Sequence, residues 1–336
     1  MSMSEPVFLV SDIGGTNARF ALARPKGDAI DIEAPVVFQT ADYRILEMAL
    51  DAYLEAKGRP HLDAVAVCAA GPVLGEADAA RIHMTNCPWD VSVKALAAAT
   101  GVRHPLLVND FAALALAVPQ LKPTELHAIG GGTADPRAPI GILGAGTGLG
   151  VAALVPDGRG RYIDVPGEGG HVDLAPTDQR EFAVLAHLME RHGRVSVERV
   201  LSGPGLVSLY MTLAALDGVA IDGHPTGADI SDWAEAKSSP IAVEAVSMFC
   251  GWLGAVAGNL ALTLGAKGGI FIGGGIVPGW IEKRCGLFDE ALFRCRFEAK
   301  GRFESYLAAI PVHAIMRGDT ALLGLAHAAK ESLTTA

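Results

Sequence analysis

Val7-Phe8-Leu9-Val10-Ser11-Asp12-Ile13-Gly14-Gly15-Thr16-Asn17-Ala18-Arg19 is an apolar run that breaks into a glycine-rich turn built around a threonine. The pattern returns as Ile140-Gly141-Ile142-Leu143 followed by Gly144-Ala145-Gly146-Thr147-Gly148-Leu149-Gly150. Glycines beside a threonine at a strand end let backbone N–H groups and a hydroxyl reach an anion that a Cβ would keep away. Two such turns predict a duplicated fold that grips a polyphosphate from two sides. A third run, Gly268-Gly269-Ile270-Phe271-Ile272-Gly273-Gly274-Gly275-Ile276, has the same glycine density without a threonine and reads as a nucleoside platform.

Better-known nucleotide signatures do not account for these turns. No Gly-Lys-Ser/Thr occurs, so the phosphate-holding lysine of P-loop enzymes is missing. None of the three runs satisfies G-x-G-x-x-G with an acid about twenty residues on, which removes the dinucleotide fingerprint. The bland alternative is that the glycines only make hairpins and close helix–sheet contacts. Tight turns alone require neither Asp12 nor the repeat of Thr16 and Thr147.

The 336 residues allow two domains of ordinary size, and half of them are apolar while only 19% are charged, which fits a large buried sheet. A formal charge of −10 with no Lys/Arg cluster argues against nucleic acid or an anionic membrane as partner and favours small molecules. Residues 138–156 and 245–266 are uncharged and long enough to raise the question of a membrane span. Their glycines, with Asn259 and Thr263 in the second, point instead to a phosphate-type turn and a buried helix packed closely on a neighbour. The N-terminal residues show no basic region followed by an apolar core, so a cytoplasmic protein is expected. Five cysteines, Cys68, Cys87, Cys250, Cys285 and Cys295, form no C-x-x-C pair and read as reduced thiols.

Along the chain, residues 7–10, 20–23 and 36–39 read as three strands opening a sheet antiparallel, followed by a helix over 44–57. A buried strand from Leu62, a helix over 92–99 ended by Gly101, and a buried strand 105–108 come next. That last strand delivers Asn109-Asp110 at its carboxyl end, where α/β sheets bind ligands. A second pass begins at Ile140, with helices over 180–192 and 246–264 and a strand 270–272. A closing helix over about 319–331 returns to the first half. The expected architecture is two α/β domains facing each other across a cleft. One comprises residues 1–110 with about 316–336, and the other residues 111–315.

Asp110 suits a general base for a hydroxyl, since partial burial raises basicity; it equally suits an N-cap for the helix starting at Phe111. In Pro166-Gly167-Glu168-Gly169-Gly170-His171 a carboxylate and an imidazole share a turn too glycine-rich to be a packing element. Paired donors and acceptors of that kind suit a polyhydroxylated ligand. A metal site with Asp173 as third ligand is the alternative, though no second His or Cys cluster completes it. Glu198 is either a surface helix residue or a third carboxylate in the same pocket. The absence of G-x-S-x-G, H-E-x-x-H and a protein-kinase His-Arg-Asp set removes those enzyme classes.

Taken in order, Asp-Ile-Gly-Gly-Thr-Asn-Ala-Arg, Asn-Asp-Phe, Gly-Ala-Gly-Thr-Gly-Leu-Gly, Pro-Gly-Glu-Gly-Gly-His, Glu-Arg-Val-Leu-Ser-Gly-Pro-Gly and Gly-Gly-Gly-Ile-Val-Pro resemble bacterial glucokinase of the hexokinase-like type. The wider group is the actin-like ATPase (ribonuclease H-like) superfamily of sugar kinases and Hsp70 chaperones. The resemblance runs from about residue 7 to 325. It implies ATP-dependent transfer to the 6-hydroxyl of glucose by a homodimer. It places the catalytic base on Asp110 and the sugar ligands on Asn109, Asp110, Glu168, His171 and Glu198. It assigns ATP phosphates to Gly14, Gly15, Thr16, Asn17 and Thr147, Mg²⁺ to Asp12 through water, and adenosine to Gly273, Gly274 and Gly275.

Two departures stand out. Ser11 occupies a position where close relatives often have glycine, which would alter phosphate contacts, and Thr85-Asn86-Cys87-Pro88 differs around Asn86, a sugar-loop candidate. The related repressor/kinase group carries a cysteine-rich zinc motif after Glu-x-Gly-His that this chain lacks, and no N-terminal helix-turn-helix precedes the fold. Two rival readings remain at this level: a kinase for another hexose such as mannose or fructose, and a non-catalytic glucose sensor on the same fold. Retention of Asp12, Thr16, Asp110 and Thr147 speaks against the sensor.

Overall fold

The computed structural model describes residues 5–335 apart from 28, 85, 86, 88 and 285. Asn86 and Cys285 therefore lie outside the described residues. The chain divides into two units, residues 1–121 with 317–336, and residues 122–316.

In the first unit, the apolar run of the first glycine turn forms β1 (Phe8–Ile13), and the turn itself leads into β2 (Asn17–Lys26). These two strands pair antiparallel. Two short strands, β3 (Ala29–Ile32) and β4 (Val36–Gln39), pair with different stretches of β2. The sequence reading missed β3, a strand of only four residues, Ala-Ile-Asp-Ile, whose alternate residues Ile30 and Ile32 pack on the sheet's core. β5 (Ala64–Ala69) lies parallel to β1, and after a minor ribbon of β6 (Arg81–His83) and β7 (Asp90–Ser92), β8 (Leu106–Asn109) lies parallel to β5. Helix α1 (Leu46–Ala56) buries Leu46, Ala49, Leu50, Tyr53 and Leu54. Helix α2 (Val93–Thr100) is capped by the Ser92 hydroxyl and stopped by Gly101 in the left-handed region, at φ 77°. Helix α3 (Asp110–Ala117) and the C-terminal helix Thr320–Thr335 pack together on the other face of the sheet. Gly324 makes that approach possible, since a Cβ there would strike the Ala113 carbonyl. The helix beginning at Asp110 thus belongs with the first unit, beyond the boundary read from the sequence.

The second unit repeats the plan. β9 (Leu126–Ala128) is an added edge; β10 (Ile140–Ala145), β11 (Leu149–Pro156) and β12 (Tyr162–Gly167) form an antiparallel meander. β13 (Gly269–Gly273) lies parallel to β10, and β14 (Val312–Ile315) parallel to β13. The order β3-β2-β1-β5-β8 in one sheet therefore answers β12-β11-β10-β13-β14 in the other, a duplicated mixed α/β topology.

Helices α4 (Gln179–His192), α5 (Gly203–Leu216), α6 (Gly227–Glu235), α7 (Pro240–Leu264), α8 (Ile276–Lys283), α9 (Glu290–Glu298) and α10 (Glu304–Ala308) complete the second unit. α7 is long and apolar enough to cross a membrane, but most of it is buried inside this unit. Its small residues explain the composition: a Cβ on Gly254 would strike the Phe293 carbonyl, and one on Gly258 the Phe297 carbonyl, so glycine lets the backbones of α7 and α9 approach each other closely. The other uncharged stretch, 138–156, is the β10–β11 hairpin.

Candidate active site

In the first unit the carboxyl ends of β1, β5 and β8 gather the candidate residues. The turn after β1 is closed by the Gly14 N–H donating to the Asn17 carbonyl at 2.8 Å. Buried Thr40 braces it from behind: its hydroxyl donates to the Gly15 carbonyl at 2.8 Å and its N–H to the Thr16 carbonyl at 2.9 Å. Gln39 Nε2 donates to Asn17 Oδ1 at 2.7 Å, while Thr16 itself is exposed. Asp12 sits one residue before the end of β1, with Arg19 Nη1 donating to its Oδ2 at 3.1 Å. Ser11, its neighbour, points to the opposite face: it is buried, and its hydroxyl has no partner. The serine expected to alter phosphate contacts instead lies on the buried side of the strand, between Leu9 and Ile13 in sequence alternation.

The cap of α3 resolves one ambiguity. Asn109, not Asp110, is the N-cap: its Oδ1 accepts from Phe111 N at 2.8 Å and Ala112 N at 3.4 Å. Its Nδ2 donates to the Gly71 carbonyl at 3.0 Å, leaving one amide hydrogen for another partner. Asp110 occupies the first turn, half-buried, with Oδ1 accepting from Phe111 N at 2.9 Å. A carboxylate here also gains from the positive end of the helix.

In the second unit the other threonine turn links β10 to β11. The Gly146 N–H donates to the Gly148 carbonyl, and the Gly203 N–H at the start of α5 donates to the Gly146 carbonyl, both at 2.8 Å. Thr147 is exposed at the tip. Glycines of the two halves of the sheet differ in what they do. A Cβ on Gly144 would lie 2.5 Å from the Gly273 backbone, and one on Gly274 would strike the Ala145 carbonyl, so these residues are demanded by packing. At Gly146 and Gly275 a Cβ would meet nothing within 4 Å. The fold itself does not require glycine there.

The turn carrying Glu168 and His171 also owes its glycines to close approach. A Cβ on Gly169 would crowd the Val151 side chain at 2.9 Å, and one on Gly170 would strike the Leu149 carbonyl. Arg194 Nη1 fastens the turn by donating to the His171 carbonyl at 2.8 Å and to Asp173 Oδ1 at 2.9 Å. Residues 172–174 then pair with 195–197, which carries Glu198 beside His171. Glu198 is half-buried, and its Oε2 accepts from the Leu149 N–H at 2.8 Å. The result is a cavity of about 480 Å³ lined by Thr147, His171, His192, Arg194, Glu198 and Arg199 together with the start of α5. Burial, then the charge of Arg199, pushes His192 below its ordinary value.

This brings Thr147, His171 and Glu198 to one place, whereas Glu168 is exposed on the turn and outside the cavity lining. Asp173 is paired with Arg194. Among the described residues no group of three or more His, Cys, Asp or Glu is arranged to hold a metal, so the ligand set of Glu168, His171 and Asp173 does not form. Sequence reasoning missed the Leu149 amide and the two arginines of the cavity, because only the pairing of 172–174 with 195–197 brings them together.

A family model described as glucokinase matches residues 9–332. This chain belongs to the glucokinase family. A glucokinase of Paramagnetospirillum magneticum is 46% identical over 326 residues, covering 96% of this chain and 97% of that relative. One from Chromobacterium violaceum is 44% identical over 318 residues, covering 95% and 88%. The crystal structure of a glucokinase from an Antarctic psychrotroph shares the fold with a TM-score of 0.85 at 35% identity, over 97% of this chain and 99% of that one. The family's actin-like ATPase fold accounts for the duplicated sheets and for the position of both threonine turns at strand ends.

Proposed function

We propose that this glucose kinase transfers the γ-phosphoryl group of ATP in line to the 6-hydroxyl of glucose, with Asp110 as general base. ATP-dependent phosphorylation of glucose to glucose 6-phosphate is the activity of the chain, carried by the family match over residues 9–332 and by relatives matching along nearly their whole length. The residue roles are those that the family resemblance implies for these positions. Asn109, Asp110, Glu168, His171 and Glu198 are the residues we assign to the sugar hydroxyls. Fixing the hydroxyl beside Asp110 supplies orientation, and the carboxylate takes its proton as the bond to phosphorus forms.

Gly14, Gly15, Thr16, Asn17 and Thr147 receive the phosphates, and Gly273, Gly274 and Gly275 receive adenosine. The open space at Gly146 and Gly275 supports both assignments. Mg²⁺ fits Asp12. It is a hard cation that keeps most of its water and needs only one or two carboxylates beside substrate phosphates, and Asp12 offers a partly exposed carboxylate at the strand end. When bound, Mg²⁺ neutralises charge on the transferring group. A cytoplasmic homodimer completes the reading, on the strength of family membership.

The test is Mg²⁺-dependent ADP release from ATP with glucose, mannose, fructose and N-acetylglucosamine. The expected result is glucose-selective turnover that falls by about 10²–10⁴-fold in Asp110→Ala, the span of general base catalysis, while glucose binding measured by calorimetry persists. Near-normal turnover in the variant would remove Asp110 from the role.

A further inference from the structure

Cys68 lies on β5 directly across from Asp12 of β1 in the parallel register, fully buried, with its Sγ 3.6 Å from Asp12 Oδ1. That distance is a hydrogen bond for sulfur, and the side chain belongs to the face of the sheet carrying Val10, Ala66 and Val108. The other oxygen of Asp12 is taken by Arg19 at 3.1 Å, whose side chain is 45% exposed. One carboxylate oxygen thus faces a partly exposed arginine and the other a buried thiol in the central sheet.

We propose that Cys68 is a positioning residue, its S–H donating to Asp12 Oδ1 and fixing the carboxylate in the orientation from which it holds hydrated Mg²⁺. The inference rests on the assignment of Mg²⁺ to Asp12. A cysteine suits the place because the strand around it, Ala64 to Ala69, is wholly buried and apolar, and a thiol is a small hydrophobe that still offers a weak donor. Without it, Arg19 is the remaining side-chain hydrogen-bond donor on this carboxylate among the described residues, and draws it toward solvent. Groups behind a metal ligand commonly govern affinity by tenfold or more.

Infrared spectroscopy of the metal-free protein reads the pairing directly. The S–H stretch assigned by the difference between wild type and Cys68→Ala is expected at the lowered frequency of a donating thiol, moving to the free-thiol position in Asp12→Ala. In kinetics, Cys68→Ala is expected to raise the Mg²⁺ concentration for half-maximal turnover by about tenfold with KM for glucose unmoved, and Cys68→Ser to recover most of the loss. A free-thiol frequency in the wild type overturns the proposal. So does unchanged Mg²⁺ dependence in Cys68→Ala alongside an impaired Asp12→Ala. Unchanged Mg²⁺ dependence in Asp12→Ala marks instead the failure of the metal assignment, and the proposal falls with it.

Discussion

Gly148→Ala tests the sugar site through a contact of less than one side chain. A Cβ at this position would lie 2.5 Å from Glu198 Oε2, the oxygen that accepts from Leu149 N at 2.8 Å. Ordinary contact requires the carboxylate to retreat by roughly 0.9 Å, which opens the Leu149 hydrogen bond past its useful range. The backbone of Gly148 is not in the left-handed region, and the obstructing atom is the end of a flexible side chain, so the fold tolerates the methyl group. Stability should therefore change by less than about 1 kcal/mol.

Function should not be spared in the same way. If Glu198 accepts from a sugar hydroxyl, displacing it forfeits a hydrogen bond to a charged group, about 1.5–3 kcal/mol. At about 1.4 kcal/mol per factor of ten, kcat/KM for glucose falls by about tenfold to a hundredfold, a range that agrees with the cost of a 1 Å misplacement. Coupled ADP-release kinetics over a glucose titration measure this, with thermal unfolding as the control. KM and kcat for glucose within about twofold of wild type, at an unchanged Tm, would refute the reasoning and remove Glu198 from the sugar site.

Ser11→Ala is expected to stabilise the first unit by roughly 1 kcal/mol, because the Ser11 hydroxyl is buried without a partner; urea unfolding checks the sign. Arg296→Met leaves the Glu181 carboxylate, whose Oε1 lies 2.6 Å from Arg296, without its countercharge in the interior between α4 and α9. A loss of about 3–5 kcal/mol should follow in denaturant unfolding, and Glu181→Leu combined with Arg296→Met should recover part of it. A double variant less stable than the single one would contradict that account.

What the sequence determined by itself was whatever is encoded locally. Apolar runs ending at Gly14 and Gly144 are strands with turns, Ser92 and Gly101 mark the ends of α2, and the repeated threonine turn announces a duplicated sheet. Those features depend on neighbours within a few residues, so spacing and residue type suffice to read them. The C-terminal helix Thr320–Thr335 was also legible as an element. Strand β3 was not, because the alternation of Ile30 and Ile32 spans only four residues, too short to stand out.

The candidate site was legible only in part. The sequence left Asp110 open between general base and cap; the cap is Asn109, whose Nδ2 also reaches the Gly71 carbonyl. Nor could any local pattern show that Glu198 would be held by the Leu149 amide, or that Cys68, one of six buried residues in a row, would face Asp12. These are contacts between segments far apart in the chain. Register and pairing alone bring them together, and a one-residue slip in β5 would turn the thiol to the other face of the sheet.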